Sequence, residues 1–365
     1  MQLKPSSYLV KLGWTKFFIA IGNLVLTAIN PHHPSPHMPP KKSVSIVIPN
    51  YNGVALLGKY LPHTFAAVES AGVACEVIVV DDCSTDGSVE WLRARYPEVT
   101  LLVNSANLGF SITCNRGIKA AKNELVLLLN TDVALEKDYF NRLWRYFEPE
   151  DTFGVMGRIM NPEGKIEDAA RLLSFSGMKF KATRFFYCED KTKMTPTAYL
   201  SGANALVRRE MLLKLGGFDE IYSPFYCEDV DLSFRAWRMG WKCYYEHEAV
   251  CEHEVSKTIR SNSSKDRLMA IVYRNKFILH AIHLDGIRLA LWYCQLFLIE
   301  VVLRIVVGKF WILTALGGFF AKKKGILESR KSLKKILGEQ GQNQSLRTVK
   351  KKFFDPVYSW RINRI

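Results

Sequence analysis

Three groups of carboxylates stand out in the sequence because of the chemistry that they could support. They are Asp81-Asp82, the single Asp132, and the run of Glu228, Asp229 and Asp231. A carboxylate at the end of a strand is an oxygen ligand suited to Mg²⁺ or Mn²⁺, and a carboxylate beside a hydroxyl can take its proton. We expect these acids, which are far apart in the chain, to converge at one edge of the fold.

Asp132 follows the apolar run 127–129 and ends the tripeptide Asn130-Thr131-Asp132. A metal held there would bridge a diphosphate and offset the charge that develops on it as it departs. The alternative is that Asp132 caps a helical segment starting near Glu136. The tripeptide alone does not separate these two interpretations.

Asp81 and Asp82 end a second apolar run. A carboxylate in that place can accept a hydrogen bond from N3–H of uracil or thymine, and the ring of Tyr51 can stack on the base. The alternative is ordinary capping of the following helix by Asp and Ser side chains. Again both interpretations stay open.

The third group lies at the start of a helix predicted to run to Met239. The helix dipole favours carboxylates there, which is a sufficient explanation for Glu228 and Asp231. One carboxylate facing the sheet edge could deprotonate an acceptor hydroxyl, and we select Asp229. His253, between two acids, is a candidate metal ligand beside Asp132. His247 competes with it, and a lone histidine is more often hydrogen-bonded or exposed.

Apolar runs alternate with helical stretches between residues 44 and 129, which predicts a parallel sheet with right-handed crossovers. Such sheets bind ligands beyond the carboxyl ends of their strands, where this chain places polar side chains. No GxGxxG or GxxxxGK[ST] follows a strand, which disfavours a dinucleotide fold and a P-loop ATPase. The predicted strands are 44–48, 76–80, 99–103 and 125–129, and the helices are 54–70 with a bend at Pro62, a stretch from a Ser84 or Thr85 cap to Tyr96, and 110–121.

The composition is that of a folded chain with a basic tail. Of 365 residues, 48% are hydrophobic and 23% charged, which allows a core and excludes general disorder. The net charge is +15, of which residues 304–365 carry +12, with 15 Lys or Arg against three acids. This asymmetry predicts a tail that meets an anionic surface rather than a nucleic-acid-binding core. The eight cysteines show no zinc-finger spacing, and we expect reduced thiols.

Both ends of the chain contain apolar segments. Residues 17–29 are shorter than the roughly 20 residues of a spanning helix and lack a signal-peptide cleavage site, which predicts a short surface anchor followed by a linker over 30–42. The runs 289–299 and 310–321 also stop short of the roughly 18 uncharged residues that a spanning helix needs. With Lys322 to Lys324 and a basic amphipathic stretch over 326–337, they predict a monotopic attachment. A buried helical hairpin or a dimer interface is the alternative.

Six motifs, in this order, make the chain resemble glycosyltransferase family 2, in particular its bacterial branch that includes rhamnosyltransferases of cell-surface polysaccharide biosynthesis. The resemblance implies an α/β GT-A fold: a Rossmann-like, mostly parallel sheet flanked by helices over 43–260. Residues 1–42 would then be the anchor and linker, and 261–365 a helical, basic, membrane-associated region. The motifs are VSIVIPNYNG (44–53), EVIVVDDCSTDGS (76–88), NLGF (107–110), LLLNTD (127–132), SGANALVRRE (201–210) and GGFDE with FYCEDVDLSFR (216–235).

The resemblance also implies a role for each matched position. Asp229 would be the catalytic base, and Asp132 with His253 would bind a divalent metal, Mg²⁺ or Mn²⁺. Because Asn130 stands at the first position of the DxD-like motif, the metal would rest on fewer carboxylates. Nucleotide binding falls to Pro49, Asn50, Tyr51, Asn52, Asp81, Asp82, Asn107, Gly109 and Asn130. Substrate contacts fall to Ser201, Gly202, Ala203, Glu228, Asp231 and Arg235.

The implied reaction is a single displacement that inverts the anomeric centre. The donor would be a UDP- or dTDP-sugar and the acceptor a hydroxyl of a glycan or lipid-linked precursor, at the cytoplasmic face of the inner membrane, with no nucleic-acid partner. Two alternatives remain. A sugar nucleotidyltransferase would need basic residues in the loop after the first strand, which PNYNG lacks. A non-enzymatic basic membrane- or nucleic-acid-binding protein would not need Asp132, Asp229 and Asp231 together.

Overall fold

A computed structural model of the chain describes residues 40–254, 265–339, 341 and 344–365. The predicted anchor over 17–29 and most of the linker lie outside these residues. So does the predicted domain boundary at 260, and the three-part division of the chain stays a prediction. Residues 40–365 group into one unit.

Four parallel strands form one half of a ten-stranded sheet, in the order β3-β2-β1-β4 with β3 at the edge. β1, β2 and β4 are largely buried, which is why they appear in the sequence as nearly continuous apolar runs. The elements of this half are β1 (Val44–Asn50), α1 (Val54–Ala71), β2 (Cys75–Asp81), α2 (Ser88–Arg95), β3 (Thr100–Val103), α3 (Phe110–Ala120) and β4 (Leu125–Leu129). The strand, helix, strand order predicted from the sequence is confirmed.

Helix α2 begins at Ser88, four residues after the predicted cap at Ser84. The backbone N–H of Ser84 donates to Asp81 (2.9 Å), and the backbone N–H of Thr85 donates to Asn52 (2.8 Å). These donors are therefore bound to the ends of β1 and β2, so that residues 84–87 form a loop across the sheet edge and not a first helical turn. Pro62 lies inside α1, as predicted.

The second half of the sheet continues beyond β4 with strands of both directions. β11 (Asn204–Arg208) is antiparallel to β4, and β12 (Lys242–His253) is parallel to β6 (Thr152–Met160). Because β11 is antiparallel, its amino-terminal end lies at the same edge as the carboxyl ends of β1 and β4. The other elements are β5 (Val133–Leu135), β7 (Ile166–Asp168), β10 (Thr195–Pro196), α4 (Arg209–Lys214) and α5 (Glu228–Arg238).

A separate three-stranded sheet joins the middle of the chain to its end. It consists of β8 (Ala170–Ser176), β9 (Lys179–Cys188) and β13 (Ile362–Arg364), in the order β13-β9-β8. Nearby, Phe353 and Phe354 pack on the buried ring of Trp237 in α5, at centroid distances of 5.0 and 5.4 Å. Residues near the end of the chain therefore pack against α5.

The C-terminal region is mainly helical. Its helices are α6 (Lys265–His283), α7 (Gly286–Val306, with a π-helical turn over Leu296–Val301), α8 (Trp311–Ala321), α9 (Lys323–Glu339) and α10 (Leu346–Val349). In length and composition α7 is sufficient to cross a membrane, and it is the one such helix in the described part of the chain. The uncharged run 289–299 is as short as predicted, but the helix extends beyond it on both sides. Glu300 and Arg304, which interrupt the run, pair with each other (2.7 Å) and leave the helix continuous.

Candidate active site

Asn50 and Asp81 fix the end of β1 against the end of β2. The Asn50 side-chain amide donates to Asp81 (2.8 Å), whose second oxygen accepts from Ser84. Gly53 allows this arrangement, because a Cβ there would lie 2.4 Å from the Asn50 Oδ1 atom. The ring of Tyr51 is 44% exposed beside this edge, Pro49 is half-buried, and Asn52 is exposed. This surface is compatible with a stacked base.

Asp82 shapes the loop between β3 and α3. Its carboxylate accepts from the backbone N–H groups of Leu108 (2.9 Å) and Gly109 (2.8 Å) and from the Asn104 side chain (2.8 Å). Gly109 has φ +88°, a conformation suited to glycine. Asp82 therefore positions the NLGF loop, on which Asn107 is exposed. Direct contact of Asp82 with a nucleotide stays a prediction.

Backbone pairing brings Asp132 and His253 together. β5 pairs with the end of β12, with Val133 opposite His253, and the His253 Nε2 atom lies 3.3 Å from the Asp132 Oδ1 atom. The His253 Nδ1 atom lies 3.3 Å from the Glu167 Oε2 atom. Burial acts to lower the pKa of His253, but the hydrogen bond and charge of Asp132 and the charge of Glu167 outweigh it, so that the pKa is raised.

The chemistry of this pair fits a divalent cation. Two ligands about 2.1 Å from an octahedral ion lie roughly 3 Å apart when adjacent, which is close to the distance between Asp132 and His253. Within the described ranges, no group of three or more His, Cys, Asp and Glu side chains is arranged to hold a metal. A cation here would therefore need oxygens from a ligand or water, as Mg²⁺ commonly does.

His247, the competing histidine, lies in a different environment. Its ring stacks on Tyr187 at 3.9 Å, its Nδ1 atom is 2.8 Å from the Tyr245 hydroxyl, and its Nε2 atom is 3.0 Å from Arg158. Burial, aided by the charge of Arg158, lowers the pKa of His247 to about 4. The partners of His247 are a phenol and a guanidinium, whereas His253 lies beside two carboxylates, so His253 is the better candidate ligand.

Asp229 lies at the first turn of α5, close to the loop that precedes β11. A Cβ on Gly202 would lie 3.8 Å from the Asp229 Cβ atom, and the Ala203 carbonyl accepts from the Asn130 backbone N–H (3.2 Å). Ser201 and Gly202 therefore lie between Asp229 and the end of β4. Burial raises the pKa of Asp229, against the opposing charge of Arg171 and hydrogen bonds from Val230 and Gly202. A raised pKa is suited to a general base.

Glu228 is buried next to Asp229. Its Oε2 atom has no hydrogen-bond partner among the residues that the structure describes. Burial, followed by the charge of Asp229, raises the pKa of Glu228 to about 8. Ionisation of one of these two neighbouring acids therefore disfavours ionisation of the other. Glu228 and Asp229 are thus the least satisfied acidic cluster of the site.

A short acidic strand connects the two sides of the site. Consecutive residues of a strand point to opposite faces. In β7, Glu167 contacts His253, while Asp168 forms a bidentate ion pair with Arg171. Burial raises the pKa of Asp168, and the charge and hydrogen bonds of Arg171 oppose this increase. The negative charge of Asp229 raises the pKa of Asp168 further, so the two carboxylates influence each other electrostatically. Glu167 and Asp168 point to opposite faces of β7, so the predicted convergence of Asp132 and Asp229 stays a prediction.

Asp231 and Arg235 are bound to protein groups. The Asp231 carboxylate accepts from Arg235 (2.7 Å), Tyr222 (3.1 Å) and His283 (2.9 Å), and Arg235 also donates to the carbonyls of Leu215 and Gly217. Burial acts to raise the pKa of Asp231, but Arg235 and His283 outweigh it and lower the pKa to about 2. Both side chains are buried, and their contacts are those of a scaffold. Their predicted substrate contacts have no support in this geometry and stay a prediction.

Sequence reasoning missed Glu167, Asp168 and Arg171. They lie in the region 155–205, where no motif was readable, and their role depends on β7 pairing with β6 beside β12. No local signal in the sequence indicates that pairing. The guanidinium of Arg171 lies over the ring of Tyr199 at 4.2 Å, which a sequence pattern does not reveal either.

Comparisons with known proteins identify the class to which this geometry belongs. Residues 45–216 match the model of glycosyl transferase family 2. The chain is 30% identical over 233 residues to the N-acetylglucosaminyl-diphospho-decaprenol L-rhamnosyltransferase of Mycobacterium tuberculosis, which covers 56% of this chain and 76% of that relative. It is 29% identical over 198 residues to the undecaprenyl-phosphate 4-deoxy-4-formamido-L-arabinose transferase of Aeromonas hydrophila, which covers 48% of this chain and 60% of that relative.

The fold agrees with these matches. The structure of GalNAc-T7 with UDP, GalNAc and Mn²⁺ superposes with a TM-score of 0.56 at 14% identity, over 88% of this chain and 58% of that chain. This likeness concerns the fold alone. Together with this fold, the family match and the rhamnosyltransferase relative show that the protein is a glycosyltransferase. The chain belongs to glycosyltransferase family 2, as its motifs predict.

Proposed function

We propose that the chain is an inverting enzyme that transfers a sugar from a UDP- or dTDP-sugar to a hydroxyl of a lipid-linked or glycan acceptor, with Asp229 as the base. One observation carries this proposal. Asp229 lies at the first turn of α5 beside Gly202, in the loop that precedes β11 at the carboxyl edge of the sheet, and burial raises its pKa. The names of the relatives, which both concern lipid-linked sugars, support the acceptor class.

The nucleotide would lie at the carboxyl ends of β1 and β2. The exposed ring of Tyr51 offers a stacking surface for the base, and Asn50 with Asp81 holds the loop beneath it. The exposed residues of the NLGF loop, which Asp82 positions, would complete this side. The preference for uracil or thymine stays a proposal that rests on carboxylates suited to accept N3–H.

Asp132 and His253 would hold the divalent metal. When bound, such a cation neutralises the charge that grows on the departing diphosphate. Glu167 on the far side of His253 orients the imidazole ring, because its carboxylate faces the Nδ1 atom. With Asn130 in place of a carboxylate, the protein supplies a single acidic ligand beside the histidine.

The acceptor hydroxyl would approach Asp229 from the side opposite the departing diphosphate. A bond forms between the acceptor oxygen and the anomeric carbon while the bond from that carbon to the diphosphate oxygen breaks. The hydroxyl proton passes to the Asp229 carboxylate, and configuration inverts. General-base assistance of this kind contributes about 10²–10⁴-fold to the rate.

The membrane surface is the proposed location of the enzyme. One face of α7 packs on the body through Trp292 and Leu296, while its other face exposes Ile287 (72%), Leu298 (72%) and Val306 (75%). Gln295 and Glu300, in the middle of the helix, bind the turn between β8 and β9. A spanning helix would carry these polar contacts into hydrocarbon, so we infer that α7 lies in the interface of the cytoplasmic leaflet.

A donor screen tests the enzymatic proposal. UDP-, dTDP- and GDP-sugars are assayed with a polyprenyl-diphosphate-linked acceptor, with Mn²⁺ and with EDTA. We expect transfer from a UDP- or dTDP-sugar that EDTA and Asp229→Asn abolish, while the matched control Asp190→Asn, at an exposed position, retains it. Transfer that persists in Asp229→Asn would overturn the assignment of the base.

Vesicle flotation tests the membrane proposal. The full chain should float with vesicles containing anionic phospholipid, and replacement of Ile287, Leu298 and Val306 by serine should abolish this. Because these side chains are exposed, the variant should keep the wild-type urea midpoint. Equal flotation of the variant and the wild type would show that α7 is not the attachment surface.

A further inference from the structure

A cationic cleft lies beside the proposed site of the base, enclosed by β9, α5, α6 and α7. Its volume is about 530 Å³. We define the cationic cleft by Lys179, Lys181, Lys276, Glu300 and Arg304, the charged residues that line it. None of the sequence motifs falls on these residues, and the proposed donor site does not use them.

The charge of the cationic cleft is unbalanced. Glu300 forms ion pairs with Lys179 and with Arg304 (2.7 Å), so one carboxylate serves two cations. No carboxylate of the described residues pairs with Lys181 or Lys276, both of which are exposed. Four cations against one anion leave a charge of +3. An anionic group of multiple charge, such as a phosphate or diphosphate, is the ligand that this arrangement favours.

The remaining walls are apolar and aromatic. Phe180 stacks on His280 at 4.0 Å, and His280 stacks on Trp292 of α7 at 5.6 Å. Burial lowers the pKa of His280 to about 4, so the imidazole is neutral at pH 7 and adds to the apolar wall. Phe277 and Leu296 extend this surface toward α7. A ligand that fills the cleft would therefore combine an anionic group with a hydrocarbon segment.

The position of the cleft connects the proposed base with the proposed membrane surface. Cys227 and Val230, which flank Glu228 and Asp229 in the sequence, form part of the cleft wall. On its other side the cleft is closed by Trp292 and Leu296, the buried face of the helix whose opposite face is exposed and apolar. A molecule that leaves the bilayer along α7 would meet the lysines before it reaches Asp229.

We propose that the cationic cleft binds the phosphate or diphosphate of an isoprenoid-linked acceptor, with Lys181 and Lys276 holding the phosphate oxygens and the first isoprene units lying against α7. The inference rests on the proposed function for the identity of the reaction. It goes beyond that function in assigning a binding site for the anionic part of the acceptor.

The test is an equilibrium binding measurement on the full chain in zwitterionic nanodiscs, without a donor sugar. Farnesyl diphosphate is the probe, and farnesol, inorganic pyrophosphate and nanodiscs containing phosphatidylglycerol are the comparison arms. We expect farnesyl diphosphate to bind more tightly than either fragment, and Lys181→Glu/Lys276→Glu to weaken it about 10-fold or more. The charge-matched control Lys119→Glu/Lys214→Glu, at exposed positions of α3 and α4, should leave its affinity unchanged.

Three results would overturn the proposal. One is equal affinity of farnesyl diphosphate for the two double variants. Another is equal affinity of inorganic pyrophosphate and farnesyl diphosphate for the wild type, which would indicate a free-phosphate site. The third is loss of farnesyl diphosphate binding when phosphatidylglycerol is added, which would indicate a site for lipid headgroups. A milder pair, Lys181→Ala/Lys276→Ala, should give an intermediate loss if the charge reversals perturb folding.

The failure of this inference is distinguishable from the failure of the proposed function. Binding of farnesyl diphosphate does not require Asp229, so Asp229→Asn should bind it with wild-type affinity. If the cleft variants lose farnesyl diphosphate while Asp229→Asn retains transfer, the cleft stands and the base assignment fails. If Asp229→Asn abolishes transfer while the cleft variants bind normally, the base stands and the cleft assignment fails.

Discussion

The acidic clusters at the two sides of the sheet edge differ in how well their carboxylates are satisfied. At the end of β2, Asp81 and Asp82 accept several hydrogen bonds from the loops that they position. At the start of α5, Glu228 keeps a buried oxygen without a partner in the described residues, and burial raises the pKa of both Glu228 and Asp229. Asp81 and Asp82 hold loops in place, whereas Glu228 and Asp229 form the pair at which we propose proton transfer.

The same contrast separates neighbours within α5. Asp231 lies two residues after Asp229, yet Arg235, Tyr222 and His283 saturate it, and these partners hold its pKa at about 2. His283 belongs to α6, so Asp231 also fastens α5 to the C-terminal region. Three acids in one helical turn therefore lie in different environments, which their sequence spacing does not determine.

The largest effect expected from this contrast is on turnover. Asp229→Asn should lower the transfer rate by about 10²–10⁴-fold because the amide cannot accept the acceptor proton. Nucleotide affinity should change little, since the nucleotide residues lie on β1 and β2. Steady-state kinetics and calorimetric binding of the nucleoside diphosphate measure the two quantities. A loss of nucleotide affinity with unchanged turnover would place Asp229 in the donor site instead.

Asp231→Ala should act on stability. Removal of this carboxylate leaves the buried guanidinium of Arg235 uncompensated, which typically costs about 3–5 kcal/mol of unfolding free energy. Urea unfolding measures this loss of unfolding free energy, with Asp229→Ala as the matched control within the same helical turn. If Asp229→Ala lost as much unfolding free energy as Asp231→Ala, the distinction between the proposed reactive acid and the scaffold acid would be contradicted.

Glu228 should make the folded protein lose stability as pH rises from about 4.5 to about 8. Its pKa rises from the ordinary 4.5 to about 8 on folding, so between these values the folded chain holds a proton that the unfolded chain has lost. The contribution of Glu228 to stability therefore falls as pH rises through this window, with a slope of at most about 1.4 kcal/mol per pH unit. Urea unfolding at several pH values should show a flatter profile for Glu228→Gln. An unchanged profile would contradict the raised pKa.

Asp231 should show the opposite dependence. Its pKa falls from 3.8 to about 2 on folding, so its stabilising contribution is present above pH 3.8 and is lost as pH falls toward 2. Asp231→Asn should remove this part of the acid sensitivity. The two substitutions together therefore test the contrast in two pH windows with opposite signs, one above about pH 4.5 and one below pH 3.8.

The smallest effect is expected at Asp82. Asp82→Asn keeps one carbonyl oxygen for Leu108 or Gly109 but loses the charged acceptor, a loss of about 1 kcal/mol. The NLGF loop would loosen, and the Michaelis constant for the donor should rise while the maximal rate changes little. Donor titration against saturating acceptor measures this. A fall in maximal rate as large as that of Asp229→Asn would break the division of roles.

Much of the fold follows from local sequence, and much of the site does not. β1, β2 and β4 are predictable because buried parallel strands leave nearly continuous apolar runs. The predicted start of α2 was too early. The backbone N–H groups of Ser84 and Thr85 donate to Asp81 at the end of β2 and to Asn52 after β1, so they do not begin a helix. The length of α7 could not be predicted from the uncharged run 289–299, because the helix continues through Glu300 and Arg304, which pair with each other.

The arrangement of the site depends on pairings over long stretches of chain. Asp132 meets His253 only because β5 pairs with the end of β12, 120 residues later in the numbering. Glu167 contacts His253 because β7 pairs with β6, and no sequence motif indicates that pairing. Family motifs marked Asp132 and Asp229, but their environments, which decide which acid reacts, arise from tertiary packing.

The stereochemistry of the product tests the central claim most directly. The coupling constant of the anomeric proton, followed by NMR during transfer from the first donor that the screen identifies, reports the configuration before any mutarotation. A single displacement assisted by Asp229 predicts a glycoside whose configuration is opposite to that of the donor. A product that retains the donor configuration would contradict it.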